Sequence, residues 1–324
     1  MLKRIAVLTS GGDAPGMNAA IRAIVRVGLS NGAEVFGVRD GYAGLIEGSF
    51  RSMGDRDVGG ILQQGGTILG SARSVEFRTI EGRQRALEQL AKQGIEGLVV
   101  IGGNGSQTGA HALNQMGFPT IGVASTIDND LIGSDITIGV DTALNIALEA
   151  IDRLKVTASS HHRAFLIEVM GRDCGYLALM AALAGGAEAV VLPEIKTTVE
   201  AVKDQLVENF ARGKSNGIVV VAEGATPTLE ELMAYFKTDS PTVGYEIRAT
   251  TLGHVQRGGA PTAFDRILAT TLGAGAVEKL IKGERGVVVG RIENKLITTP
   301  YEQVIGRTKG IKPEIYALAK QLAR

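Results

Sequence analysis

Two carboxylates one residue apart, Asp128 and Asp130, close the run Thr126-Ile127-Asp128-Asn129-Asp130. In an extended segment alternate side chains face the same way, so both acids can point into one site. Paired acids of this kind suit a general base and a partner that organises a metal. Asp-Asn-Asp is equally a good turn former, and the local sequence is consistent with either reading. Two glycine-rich segments stand upstream, Thr9-Ser10-Gly11-Gly12-Asp13-Ala14-Pro15-Gly16-Met17-Asn18 and Gly102-Gly103-Asn104-Gly105-Ser106. Glycine pairs let backbone N–H groups approach an anion closely, with a helix N-terminus behind them. Neither segment carries the Gly-Lys-Ser/Thr ending of the Walker pattern, and neither is Gly-x-Gly-x-x-Gly. Two such loops ending strands of one sheet favour phosphate binding over two bland turns.

Basic residues flank further loops. Arg163 and Arg172 bracket the apolar run 164–169, and Arg248, His254 and Arg257 surround the glycine-rich stretch 252–259. Another glycine turn, 65–73, ends in Arg73. Converging guanidinium forks grip a sugar phosphate bidentately. Taken singly, each arginine reads as a solvated surface group, and His254 as a hydrogen-bonding or core histidine. His161 and His162 are adjacent, without metal-ligand spacing, and Cys174 reads as a small packing residue.

These loops need strands and helices to hold them. Residues 5–8, 35–38, 97–101 and 120–123 are short apolar runs that read as buried strands, with helices over about 17–29 and 83–92 between them. Residues 164–169, 218–221 and 286–289 repeat the pattern. Helices are expected over 199–210 and 266–281, and from Pro313 with Ile315, Leu318, Ala319 and Leu322 inward. Leu144, Ala147, Leu148, Ile151 and Leu154 mark one face of a helix that Asp141 is placed to cap. The polar stretch 226–246 reads as peripheral. The expectation is an α/β protein of two domains, each a mainly parallel sheet with helices on both faces, sharing a cleft at the carboxyl ends of the strands.

Composition bounds the alternatives. The chain has 324 residues, 44 of them glycine but only 8 proline, with no tryptophan, so its core rests on aliphatic side chains. Lys plus Arg and Asp plus Glu both number 34, which argues against a broad basic surface for nucleic acid. One cysteine excludes an intrachain disulfide and fits a reducing compartment. The apolar stretch 5–8 is too short for a signal peptide and 176–187 too short to span a membrane, so a soluble cytoplasmic chain is expected.

Together the segments TSGGDAPGMNAAIR (9–22), GGTILGSAR (65–73), GGNGS (102–106), TIDND (126–130), EVMGR (168–172) and GHVQRGG (253–259) resemble, in order, those of the bacterial phosphofructokinase family. The resemblance implies a homotetramer that transfers the ATP γ-phosphoryl group to the 1-hydroxyl of fructose 6-phosphate with Mg²⁺. It implies a larger nucleotide-binding domain, 1–139 with 256–306, and a smaller sugar-phosphate domain, 140–255 with 307–324. Asp128 becomes the base on the sugar hydroxyl. Arg172 and Arg73 neutralise the transferring group, which Thr126 and Gly12 position. Ser74, Gly103, Asn104, Gly105 and Ser106 join Gly12 and Arg73 around the nucleotide. Ile127, Asp130, Met170, Gly171, Glu223, His254, Val255, Gln256 and Arg257 line the sugar, and Arg163 and Arg248 reach the 6-phosphate from a neighbouring subunit. An effector site for ADP or phosphoenolpyruvate draws on Arg22, Arg26, Lys155, Gly186, Ala187, Glu188, Arg212 and Lys214.

The chain departs from the family pattern at informative places. Asn104 stands where the family has a metal-serving Asp, which keeps an oxygen ligand but removes a charge beside a hard cation. This change is also what a weakly active regulatory subunit would carry. Gly105 replaces the Asp of pyrophosphate-using relatives and so favours ATP, whereas Ser125 matches neither the common glycine nor their lysine, leaving pyrophosphate as the alternative donor. Asp55 and Gly59-Gly60 replace an arginine and polar residues of the effector site, which predicts altered regulation.

Overall fold

Runs of Val, Ile, Leu and Ala become strands here because both of their faces are covered. The computed structural model describes residues 2–239 and 243–323. In chain order the strands are β1 (Arg4–Thr9), β2 (Glu34–Val38), β3 (Phe50–Met53), β4 (Gly97–Gly102), β5 (Thr120–Ala124) and β6 (Arg163–Val169). They continue with β7 (Ala189–Val191), β8 (Gly217–Ala222), β9 (Glu246–Thr251), β10 (Val287–Ile292) and β11 (Lys295–Pro300). The helices are α1 (Met17–Ser30), α2 (Gly41–Glu47), α3 (Ile80–Lys92), α4 (Asn104–Gln115), α5 (Val140–His161) and α6 (Tyr176–Gly185). After them come α7 (Val199–Ala211), α8 (Leu229–Asp239), α9 (Ala263–Ile281), α10 (Tyr301–Val304) and α11 (Pro313–Leu322).

The chain divides into two compact units, Met1–Ile127 with Leu131–Thr142 and Arg257–Thr308, and Asp128–Asp130 with Ala143–Gln256 and Lys309–Arg324. The sequence-based boundary put Asp128–Asp130 in the first domain. They belong to the second unit, where Arg172 and Lys309 bind them.

The first unit holds a seven-stranded sheet ordered β11-β10-β5-β4-β1-β2-β3. Its centre is parallel, and an antiparallel strand closes each edge. Ala6, Leu8, Leu98 and Val100 turn to one core with Leu45, Leu90 and Leu113, while their neighbours Ile5, Val7, Val99 and Ile101 are also fully buried. Strand order reverses at β1, which has β2 on one side and β4 on the other. A parallel sheet binds ligands at such a switch point, and the glycine loops after β1 and β4 are the ones that meet there. The second unit holds the parallel sheet β7-β8-β6-β9, packed around Leu166, Ile167, Val219, Val221 and Leu179. The α/β class and the mainly parallel sheets agree with the sequence-based expectation.

Three local expectations need correction. Asp141 is inside α5 and accepts from the Thr262 hydroxyl; the helix start is held from α9, where Asp265 accepts from the Gly139 and Thr142 amides and the Thr142 hydroxyl. The stretch 226–246, of which 240–242 lie outside the described residues, contains α8, and its Leu232 and Phe236 enter the second core. An i, i+4 apolar pair between charges was the signal. In α11 only Ala319 is buried, with Ile315 packed beside it, while Leu318 and Leu322 are exposed.

Candidate active site

In the first unit four loops converge through backbone and hydroxyl groups. The Ser10 amide donates to the Ile101 carbonyl and the Ser125 amide to that of Gly102, tying the ends of β1, β4 and β5 together. Asn18, buried in the first turn of α1, donates to the carbonyls of Gln64 and Gly65 and accepts from the Ile68 amide at 2.8 Å. The Thr9 hydroxyl donates to the Gly70 carbonyl, and that of Ser71 to the Gly11 carbonyl at 2.6 Å. Thr137 donates to the Thr126 carbonyl, also at 2.6 Å. Tyr42, buried and stacked on Phe77, donates to the Ser106 carbonyl. Asn18 and Tyr42 were not singled out from sequence as supports, because nothing local shows which loop they reach.

This scaffold presents Gly103, Asn104 and Gly105 at the start of α4, where the helix dipole favours an anion. Gly103 lies against Thr126: a Cβ there would stand 3.2 Å from the threonine Cβ. Gly12 is required by a close approach, because the Arg257 guanidinium passes over it, 2.9 Å from where a Cβ would be. Arg257 thus belongs to the first unit, beside the β1 loop, and its buried Nε has no hydrogen-bond partner among the described residues. Arg73 is exposed at the end of its loop, and the Ser74 hydroxyl accepts from the Phe77 amide. Ile127 was expected at the sugar, but its side chain is buried against Gly139, so only its backbone is available.

In the second unit the groups are mainly charged side chains. Asp128 is buried, and the Arg172 Nε lies 3.9 Å from its Oδ2. Arg172 itself is half exposed and has a left-handed backbone, φ 51°, in the turn after β6. Glu223, one residue past β8, accepts from the amides of Gly171 and Arg172 and holds that turn. Gln256 does not reach outward as the sequence suggested. It is fully buried, accepts from the Met170 amide at 2.8 Å and donates to the Ala143 carbonyl, so it supports Met170 instead. His254 and Val255, in the 3₁₀ turn Gly253–Gln256, are exposed. Arg163 and Arg248, on adjacent strands, share the carboxylate of Glu246. The Arg163 bond is the main reason that carboxyl titrates below its ordinary value.

The basic residues that the resemblance assigns to an effector fall into two sets. In the second unit Lys155 donates to the carbonyls of Gly185 and Gly186, and Lys214 pairs at 3.2 Å with buried Glu188, which also accepts from the Ile218 amide. Arg212 pairs with Glu208, and Ala187 is buried. In the first unit Arg22 and Arg26 lie one turn apart on α1, and Asp55, Gly59 and Gly60 are exposed.

Residues 4–280 match the family model described as Phosphofructokinase. The chain belongs to the phosphofructokinase family. It is 52% identical over 325 residues to the ATP-dependent 6-phosphofructokinase of Thermotoga neapolitana, covering 99% of this chain and all of that one. With ATP-dependent 6-phosphofructokinase 1 of Thermus thermophilus the identity is 53%, again over 99% of this chain and all of the relative. The fold superposes on a phosphofructokinase of Saccharomyces cerevisiae with a TM-score of 0.86 at 40% identity, over 93% of this chain; it spans only 45% of that longer one. A pyrophosphate-dependent phosphofructokinase from Marinobacter aquaeolei shares the fold, with a TM-score of 0.84 at 23% identity over 99% of this chain and 92% of that one.

Proposed function

We propose that this phosphofructokinase is a glycolytic kinase that transfers the ATP γ-phosphoryl group to the 1-hydroxyl of fructose 6-phosphate, giving fructose 1,6-bisphosphate and ADP. The observation that carries the mechanism is the buried Asp128 beside Arg172 in the loop that continues from Thr126. Asp128 takes the hydroxyl proton. A free Asp, with a pKa of about 3.9, is a weak base for an alcohol. In a loose phosphoryl-transfer transition state the proton leaves late, so a weak base suffices. Arg172, whose exposed side chain is free to follow charge, and Arg73 stabilise the phosphoryl oxygens. Backbone N–H groups at Gly12 and at the start of α4 hold the nucleotide phosphates, and Thr126 positions the group in transfer.

No cluster of three or more His, Cys, Asp or Glu that could hold a metal occurs among the described residues. The N–H-rich start of α4 suits phosphate oxygens, so Mg²⁺ fits as a cation carried by the nucleotide, with the Asn104 amide oxygen as its weak protein ligand. Bound there, it would neutralise phosphate charge. Glu223, Met170, Gly171, Asp130, His254 and Arg257 face the sugar. Arg163 and Arg248 serve the 6-phosphate of a neighbouring subunit in a homotetramer, which leaves a lone subunit with an incomplete site. ADP or phosphoenolpyruvate binds near Lys214 and Glu188, with a response altered by Asp55. No helix among the described residues is long and apolar enough to cross a membrane, which is compatible with a cytoplasmic enzyme.

ATP is preferred to pyrophosphate because a Cβ at Gly105 would meet nothing within 4 Å, leaving open space where a nucleotide must lie. The test is sugar bisphosphate production by the purified chain with each donor. Turnover with ATP supports the reading; faster turnover with pyrophosphate, or ligand binding without turnover, overturns it.

A further inference from the structure

The last segment of the second unit begins at Lys309, a half-buried residue outside every motif that pointed to function. Its ammonium donates to the Asn129 Oδ1 at 3.0 Å, and its backbone amide donates to the Asp130 carbonyl at 2.7 Å. Its carbonyl accepts from the Cys174 thiol at 3.8 Å. One residue thus touches the loop that carries Asp128 and the turn that carries Arg172, since the Cys174 amide closes that turn on the Gly171 carbonyl. Burial raises the Cys174 thiol to about 11, so it remains the S–H donor this contact needs.

Both loops need such a hold. Asn129, between the two acids, is left-handed at φ 54°, and Arg172 at φ 51°. Non-glycine residues reach this region at a cost and stay there only when neighbours over-determine them. The Asn129 side chain is buried, so a long cation arriving from another segment fixes it where water cannot.

We propose that Lys309 is a positioning residue for phosphoryl transfer, clamping Asn129 and Asp130 from behind so that Asp128 keeps its place beside Arg172. The proposal rests on the reading of Asp128 as the base. A shift of the reacting geometry by about 1 Å costs up to about a hundredfold in rate, so losing one side-chain bond while two backbone contacts remain is expected to cost about tenfold in kcat.

The test uses the purified full chain with ATP and fructose 6-phosphate. Lys309→Met removes only the ammonium, Lys309→Arg restores a donor, and Asn129→Gly removes the acceptor while suiting the left-handed backbone. Lys309→Met is expected to lose about tenfold in kcat with KM for ATP unchanged, and Lys309→Arg to recover most of it. Asn129→Gly should match Lys309→Met, and the double variant should be no worse than either. Unchanged kcat in Lys309→Met overturns the proposal, as does a loss that appears equally in both KM values and in the melting temperature. Should Lys309→Met fail to fold, wild-type kcat in Asn129→Gly overturns it. Asp128→Ala separates the two readings: wild-type turnover there removes the base assignment itself, whereas a dead Asp128→Ala beside a silent Lys309→Met removes only the clamp.

Discussion

The two units arrange their polar groups by different means. In the first, the polar loops are built from backbone: Asn18, Thr9, Ser71 and Thr137 donate to the carbonyls of neighbouring loops and tie them together. In the second, charged side chains face one another, Asp128 with Arg172, and Glu246 with Arg163 and Arg248. A backbone site needs small residues in fixed order, which makes a compact motif. A side-chain site needs only that distant residues meet, which leaves a scattered one. The comparison teaches why glycine is abundant in this chain: loops built from backbone need residues without a Cβ, so that neighbouring chain can approach closely.

The strongest way to break the comparison is Asp128→Ala. Turnover should fall about a thousandfold, the range for a lost general base, while ATP binding measured by calorimetry stays as in wild type. Equal loss of both would mean that the two units do not divide the task. A smaller effect is expected from Gly12→Ala, whose Cβ would stand 2.9 Å from the Arg257 guanidinium. The added methyl screens the Gly12 amide from a phosphate, so KM for ATP should rise about tenfold, one charge-assisted bond, and the displaced Arg257 should raise KM for fructose 6-phosphate as well; an unchanged KM for ATP would remove the backbone account of that loop.

Asn104→Asp sharpens the metal side of the comparison. A restored carboxylate should lower the magnesium concentration at half-maximal rate by severalfold, and equal dependence in the two proteins would sink that account. The smallest effect concerns Cys174. Burial raises its folded pKa to about 11, against about 8.5 for a free thiol. The sign follows: its contribution to stability is complete below the unfolded value and is lost as pH rises through the folded one. Iodoacetamide should therefore label the native protein slowly at pH 8.5 and faster toward pH 11, while the unfolded chain labels readily at 8.5. Rapid native labelling at pH 8.5 would contradict this burial.

Much of this was legible in sequence. The strands 5–8, 97–101 and 164–169 read correctly because each depends on neighbours in the chain. Other features misled for a consistent reason. Gln256 lay within a binding motif and turned inward to Met170, and Ile127 sat between site residues and joined the core. Asp141 had the position of a cap, yet the cap came from Asp265, more than a hundred residues later. A motif fixes which residues are present at a loop, but side-chain direction depends on what packs against it.

Sequence alone determined the alternation of apolar runs and helices, and with it two mainly parallel sheets, because buried strands and amphipathic helices are local patterns. It also determined which chemical groups are available: glycine backbone, carboxylates and guanidinium groups. Tertiary structure alone decided that β1 is the switch point, that the Arg172 Nε lies 3.9 Å from the Asp128 Oδ2 and that Lys309 reaches both Asn129 and Cys174. Those choices rest on contacts between residues far apart in the chain, whose geometry is set by packing rather than by any local preference.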